Sequence, residues 1–332
     1  MPLPRRVIDI RHWRESIHTE VIPACKPDST LERLSAAFTD RLPISPDLEP
    51  TLRRAVRHLL TYTGSMVRPR IVYSLAGAYG IHDEAATDLA IALEYFHTAS
   101  LVFDDLPCMD DASMRRCAPC VHIAFGESSA ILAALALINR AYALVWRAIA
   151  SCAAEFRAPA LNYLERHLGT HGLLNGQSLD LNYSRLPHTL HSAERVAHGK
   201  TVSLISLTLV LPAMAGGATP RELHLLHRIS TFWGLSYQIV DDLKDVLETS
   251  STSGKTPARD QSLDRPNMVL AIGVAAAVNR LQRLIGAGDQ SLEMLVRIRP
   301  SLSFLSTFRG TLEDELTRVS EGAGAIPIDR QR

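Results

Sequence analysis

Apolar residues recur at intervals of three and four along residues 88–104, 128–150 and 223–245, the period of a helix with one face buried. No segment alternates apolar and polar residues between hairpin-type turns, so strands are not expected to carry the fold. Breakers mark the joins: Gly64, Pro119, Pro187, the Gly216-Gly217 pair and the Ser/Thr run at 249–253. The pattern predicts an all-α chain without internal repeats or long low-complexity linkers. Seven prolines fall within the first fifty residues, which predicts a partly irregular N-terminal arm over 1–50, a helical domain over 51–320 and a frayed tail over 321–332.

Two acidic clusters break this apolar pattern, Asp104-Asp105-Leu106-Pro107-Cys108-Met109-Asp110 and Asp241-Asp242-Leu243-Lys244-Asp245. A carboxylate removed from water is costly unless it meets a cation or a hydrogen-bond donor, so such clusters inside apolar helices imply bound metal. Oxygen-only ligands point to Mg2+, which takes one or two carboxylates, keeps several waters and completes its shell with phosphate oxygens. The expected ligand is a Mg2+-diphosphate. Asp241 and Asp245 are four apart and share a helix face, whereas Asp242 points elsewhere. Pro107 disfavours an unbroken helix between Asp104 and Asp110, so a bulge or helix end there can bring Asp110 back toward Asp104.

With 35 basic and 35 acidic residues, the chain has no net charge to recommend nucleic acid or an anionic membrane as partner. Residues 201–220 are uncharged and long enough to span a bilayer, but Ser203, Ser206, Thr208, Pro212 and Gly216-Gly217 dilute their apolarity, so a buried bundle helix is expected, without stable membrane insertion. The N-terminus has basic residues but no apolar core after them, which is unlike a secretory signal. Five cysteines without a framework spacing suit free thiols and a cytoplasmic location. Cys117 and Cys120 with His122 lack a second pair to complete a zinc site.

An ordered set of short motifs now becomes informative: Gly64 to Pro69, His97 ahead of the first acidic cluster, Arg115-Arg116, Phe125-Gly126-Glu127, Gly176-Gln177 with Asp180, Lys200-Thr201, Gly216-Gly217, Tyr237 to Asp242, and Gly254-Lys255 before Arg259-Asp260. In this order, over about residues 50–270, the chain resembles the trans-isoprenyl diphosphate synthases, or polyprenyl synthetase family. The resemblance implies a single bundle of ten or more helices around a deep central cavity, and usually a homodimer. It implies that Asp104, Asp105, Asp110, Asp241 and Asp245 hold Mg2+ ions on an allylic diphosphate, with Asp104, Asp105, Lys200 and Asp241 in catalytic roles. Arg115, Lys200 and Lys255 would contact that diphosphate, and Thr201 and Gln238 would also bind substrate. Arg68, His97 and Arg116 would hold isopentenyl diphosphate, whose double bond attacks the allylic cation. Ala99 and Ser100 would form the floor that limits product length, and residues 104–116, with two extra residues between the acidic positions, look most like bacterial geranylgeranyl diphosphate synthases; a twenty-carbon product is expected, with fifteen or twenty-five carbons open because Phe96 and Phe103 could also shape that floor. Gln177 and Asp180 could line the cavity or brace a neighbouring helix.

The chain departs from that pattern on the acceptor side. Ser65 and Met66 stand where the family carries a lysine and an arginine. Each lost charge-assisted contact to phosphate weakens binding by about 1.5–3 kcal/mol. Three consequences are open: a weaker elongating enzyme, compensation by a residue such as Arg70, or an enzyme that ionises an allylic diphosphate and uses another acceptor or cyclises it, as a terpene synthase would. A non-catalytic partner subunit fits poorly, since both acidic clusters, Lys200 and Lys255 are retained.

Overall fold

A computed structural model describes residues 29–247 and 265–310. Thirteen α-helices are found among these residues. The first seven are α1 (Ser29–Asp40), α2 (Pro50–His58), α3 (Val67–Ala78), α4 (Asp83–Asp104), α5 (Val121–Phe125), α6 (Glu127–Ala150) and α7 (Ala154–Leu168). They are followed by α8 (Leu173–Leu181), α9 (Leu190–Ala197), α10 (Ser203–Ala215), α11 (Pro220–Leu247), α12 (Met268–Ile272) and α13 (Val274–Ile298). A two-stranded hairpin, β1 (Met114–Arg115) and β2 (Ala118–Pro119), is the sole sheet among the described residues. The all-α expectation holds.

Helix α4 is buried on nearly every face because its apolar residues are not confined to one stripe, and it packs along α6 and α3. Helix α10 lies against α3, α7 and α11. The main core runs through α1, α3, α4, α6, α7 and α10; a second cluster joins α9, α11, α12 and α13 through Ile239, Leu243, Met268 and Leu281.

Part of the proline-rich start is firmly built in. Leu34 and Phe38 of α1 are fully buried, and the Tyr95 hydroxyl donates to the Phe38 carbonyl at 2.6 Å. Asp88, buried within α4, pairs with Arg41 at 2.8 Å and with Arg147 of α6. Of those seven prolines, Pro43 and Pro46 fall in the turn after α1 and Pro50 at the first position of α2, where a missing N–H costs nothing; the other four lie outside the described residues. Residues 1–28 and the tail lie outside the described residues.

Two helices are long and apolar enough to cross a membrane, Glu127–Ala150 and Leu190–Ala215. The second contains most of the uncharged stretch of the sequence and is two-thirds buried within the molecule, as a core helix is. Between its halves α9 and α10, residues His198–Val202 widen into a π-helical turn. Such turns are rare and cluster at functional sites; this one carries Lys200 and Thr201. It touches α8 backbone to backbone: a Cβ added at Gly199 would lie 2.4 Å from Cα of Gly176, and one at Gly176 would lie 2.5 Å from the Gly199 carbonyl carbon. Only two glycines permit this approach. Gly199→Ala is therefore expected to cost about 1–3 kcal/mol of stability and to displace Lys200, read as a lowered melting temperature together with loss of activity.

Candidate active site

Helix α4 ends at Asp104, and the chain turns through Pro107 until the Asp110 amide donates to the Asp104 carbonyl at 2.9 Å. The Ala112 amide donates in the same way to the Asp105 carbonyl at 3.2 Å. The helix end thus brings Asp110 back toward Asp104, as the position of Pro107 suggested. Asp180 of α8 accepts from the Lys200 ammonium at 2.5 Å, and Arg265 bridges Asp110 at 2.7 Å and Asp180 at 3.7 Å. Burial pulls the Lys200 ammonium down, but Asp104 and Asp180 outweigh it, and its pKa lies above the ordinary lysine value.

Asp104 is left with a surplus of negative charge. Its carboxylate makes no hydrogen bond or ion pair within 4 Å with any described side chain. Burial pushes its carboxyl up to about 6; Lys200 pulls the other way, and Asp110 and Asp180 add to the rise. A divalent cation removes that penalty, so the donor set fits Mg2+. Among the described residues no three His, Cys, Asp or Glu side chains converge into a ready-made cage.

Asp105 has a different environment from the one its motif suggests. It is 1% exposed, receives Nε and Nη2 of Arg115 at 2.9 and 2.6 Å, and accepts from the Tyr62 hydroxyl at 2.8 Å. Asp105 and Arg115, expected to hold metal and diphosphate, are paired with each other through Nε and Nη2 of the guanidinium. The hairpin makes this possible: its tight turn places Arg116 and Cys117 in the left-handed region, with φ of 49° and 65°, so that successive arginines diverge. Cys120, beside the Asp105 carboxylate, is pushed up by burial to about 11 and stays a thiol.

Arg116 points to a second pocket. Its guanidinium packs on Gly64, where a Cβ would lie 2.7 Å from Nη2. Glu94 and His97, three apart on α4, face Arg68 of α3 and Arg116. Burial and the three guanidiniums of Arg68, Arg116 and Arg115 hold the His97 imidazole well below its ordinary pKa, so it is neutral. Arg68 Nε, His97 Nδ1 and Glu94 Oε2 are all buried without a hydrogen-bond partner. Met66 begins α3 in the left-handed conformation, φ 53°, and turns its side chain into the main core, whereas Ser65 is exposed. Arg70 lies over the Phe308 ring, 5.5 Å from its centroid.

On α11, Gln238 accepts from Thr201 at 2.8 Å and donates to Asp242 at 2.9 Å, which ties the helix to the π turn. Buried Asp242 also accepts from the Met268 amide at 2.6 Å and so anchors α12. Asp241 follows Gln238 by three residues; it is exposed and makes no hydrogen bond or ion pair with a described residue, while Asp245 is partly buried. Lys255, with Gly254, Arg259 and Asp260, lies outside the described residues. Ala99 is fully buried in the core, and the Ser100 hydroxyl donates to the His97 carbonyl at 2.8 Å. Gln177 contributes a weak contact to the Met109 sulfur at 3.8 Å.

Tyr62, Glu94 and Arg265 are the residues that motif reading missed. Glu94 carried a usable signal, a lone carboxylate inside an apolar helix one turn before His97. Tyr62 and Arg265 reach the site only through tertiary contacts.

A helical bundle that places an under-neutralised carboxylate beside a lysine, next to a pocket of arginines, defines an isoprenoid-synthase-type transferase. The polyprenyl synthetase family model matches residues 49–298, and the chain belongs to that family. It is a prenyltransferase of the trans-prenyl diphosphate synthase group. It is 34% identical over 74% of its length to a geranylgeranyl diphosphate synthase of Pseudescherichia vulneris, covering 79% of that protein. It is 28% identical over 81% of its length to a farnesyl diphosphate synthase of Bacillus subtilis, covering 92% of it. A solved geranyltransferase of Helicobacter pylori, complexed with magnesium and isoprenyl diphosphate, superposes with a TM-score of 0.73 at 25% identity, over 90% of this chain and all of that one.

The raised pKa of Asp104 makes a stability prediction. Its carboxyl binds a proton more readily folded than unfolded, so its ionisation costs stability above about pH 6 and nothing below about pH 4. Without divalent metal, Asp104→Asn is expected to be more stable than the parent by about 1–2 kcal/mol at pH 7.5 and equal to it at pH 4, while losing activity. Thermal denaturation at the two pH values checks the first part and product formation the second.

Proposed function

We propose that the protein elongates an allylic diphosphate with isopentenyl diphosphate in a Mg2+-dependent reaction, giving geranylgeranyl diphosphate. The observation that carries this reading is Asp104, a buried carboxylate short of cation, near Lys200 and about two turns of α4 from a pocket of arginines. Asp104 and Asp110, with Asp241 and Asp245 from α11, would hold the metal. Bound there, Mg2+ would neutralise the leaving diphosphate as the allylic C–O bond breaks.

The chain's own groups do the rest. Lys200, kept charged by Asp104 and Asp180, supplies a fixed ammonium where negative charge develops on the leaving oxygen. Arg115, oriented by Asp105 and Tyr62, and Arg265, oriented by Asp110 and Asp180, extend that positive surface. Arg68, His97 and Arg116 hold the acceptor diphosphate so that the isopentenyl double bond faces the allylic carbon. A carbon–carbon bond forms, a proton leaves the acceptor carbon, and the chain lengthens by five carbons. Small side chains at Ala99 and Ser100 favour the twenty-carbon product over a shorter one.

A second reading rests on the acceptor loop. With Met66 committed to the core and Ser65 uncharged, the pocket has two fewer cations than the family pattern, which favours another acceptor or cyclisation. Incubation with Mg2+ and geranyl or farnesyl diphosphate, with and without isopentenyl diphosphate, separates the two by mass spectrometry. Geranylgeranyl diphosphate formed only with isopentenyl diphosphate is the expected outcome; hydrocarbon or alcohol formed without it indicates the second reading. Because Met66→Arg would bury a guanidinium, Ser65→Lys is the informative restoration, and it is expected to lower the KM for isopentenyl diphosphate by about tenfold or more.

We also propose a homodimer formed through α6. Between Ser128 and Trp146 this helix carries one charged residue, Arg140, whose Nε is bound inward to the Arg41 carbonyl at 3.0 Å. Its outer face exposes Ile131, Leu135, Tyr142 and Trp146, the last 65% exposed. An uncharged apolar stripe of this length fits the same stripe on a second copy. Trp146→Glu is expected to convert a dimer to a monomer by light scattering, with the melting temperature of the monomer little changed.

A further inference from the structure

The acceptor pocket contains a group that no anion can satisfy as it stands. Glu94 is 4% exposed, and its Oε2 is buried without a partner, as are the donor atom Arg68 Nε and the ring atom His97 Nδ1. The charged groups around it are Arg68 from α3 and Arg116 from the β1–β2 turn; His97, on its own helix, is flanked by these two and by Arg115, and Tyr237 of α11 faces Arg116. Neither guanidinium comes within 4 Å of the Glu94 carboxylate, so its charge is offset only through space.

A diphosphate brought to Arg68 and Arg116 therefore meets an unpaired carboxylate oxygen at close quarters. Two anions in a low-dielectric pocket repel strongly, and with Ser65 and Met66 in place of two cations the loop supplies nothing to offset them. One proton held between a phosphate oxygen and Glu94 Oε2 removes the repulsion and satisfies the orphaned atom. We propose that Glu94 is a specificity-determining residue of the acceptor pocket, which binds its diphosphate with one proton shared between the phosphate and the Glu94 carboxyl. That proton is taken from solvent on binding and stands in for the missing cations. Burial raises the Glu94 carboxyl above the ordinary glutamate value, against the pull of both arginines, which favours holding it.

The inference rests on the reading of this pocket as the acceptor side. Above pH 7 a terminal phosphate is almost fully ionised and neutral His97 no longer titrates, so proton uptake reports the Glu94–phosphate pair. Isopentenyl diphosphate and methyl diphosphate, both diphosphate monoesters without a further proton to lose, are titrated separately by calorimetry, without Mg2+, at pH 7, 8 and 9 and in buffers of different ionisation enthalpy. The expected result is uptake of about one proton and an affinity that falls about tenfold per pH unit. In Glu94→Gln, whose amide donates without a proton from solvent, uptake disappears and affinity changes less than about threefold over the range. Wild-type binding without uptake, the same pH slope in Glu94→Gln, or no binding of either probe at any pH overturns the proposal. The wild-type titrations decide it even if Glu94→Gln does not fold. Proton-linked binding in a protein that forms no lengthened product keeps the inference and removes the elongation reading.

Discussion

The structure is organised around a carboxylate that its surroundings do not neutralise. Asp104 ends a helix buried on nearly every face, and the elements near it supply Lys200 as a cation but also Asp110 and Asp180 as further negative charge. A protein evolved only for stability would pair such a group or replace it, since an unpaired buried charge is among the costliest features a fold can carry. Around it, Asp105 is closed off by Arg115 and Tyr62, and Lys200 by Asp180. The charge that remains open is the one a metal–diphosphate complex can use.

Two pockets of opposite electrical character sit at the two ends of one short stretch of α4. At its C-terminal end Asp104 carries surplus negative charge; two turns earlier His97 and Glu94 face Arg68 and Arg116. One rigid helix thus fixes the spacing between the two pockets; in the proposed reaction they would ionise the allylic diphosphate and present the acceptor, which is how proximity is enforced between two substrates. The β1–β2 turn serves both ends, sending Arg115 to one and Arg116 to the other. The close contact of Gly176 with Gly199 and the π turn set the position of Lys200 between α8 and α10.

Much of this was readable from residue order. Helical periodicity marked α4, α6 and α11, and two acidic interruptions in apolar helices marked the ionising side, because charge in such places needs a reason. The fold-back at Asp110 was readable from Pro107. What was not readable is how charges divide among themselves. Asp105 and Arg115, ten residues apart, have complementary charge that only the hairpin brings together, so motif spacing did not show their pairing. Met66 looked like a lost contact at the acceptor, but its left-handed backbone turns it into the core. Arg265 joins the site from the far end of the chain, where local pattern carries no information about contacts. In the proline-rich start, α1 is held by contacts to α3 and α4 that the local sequence does not show.

The central claim is that Asp104 is left open for a metal that arrives with its diphosphate. It is tested most directly by calorimetric titration of Mg2+ into the protein with and without a non-hydrolysable allylic diphosphate analogue. The account predicts weak Mg2+ binding alone, binding at least about tenfold tighter with the analogue, a coupling of about 1.4 kcal/mol or more, and loss of that coupling in Asp104→Asn. Equal Mg2+ affinity with and without the analogue, or coupling that survives Asp104→Asn, would contradict it.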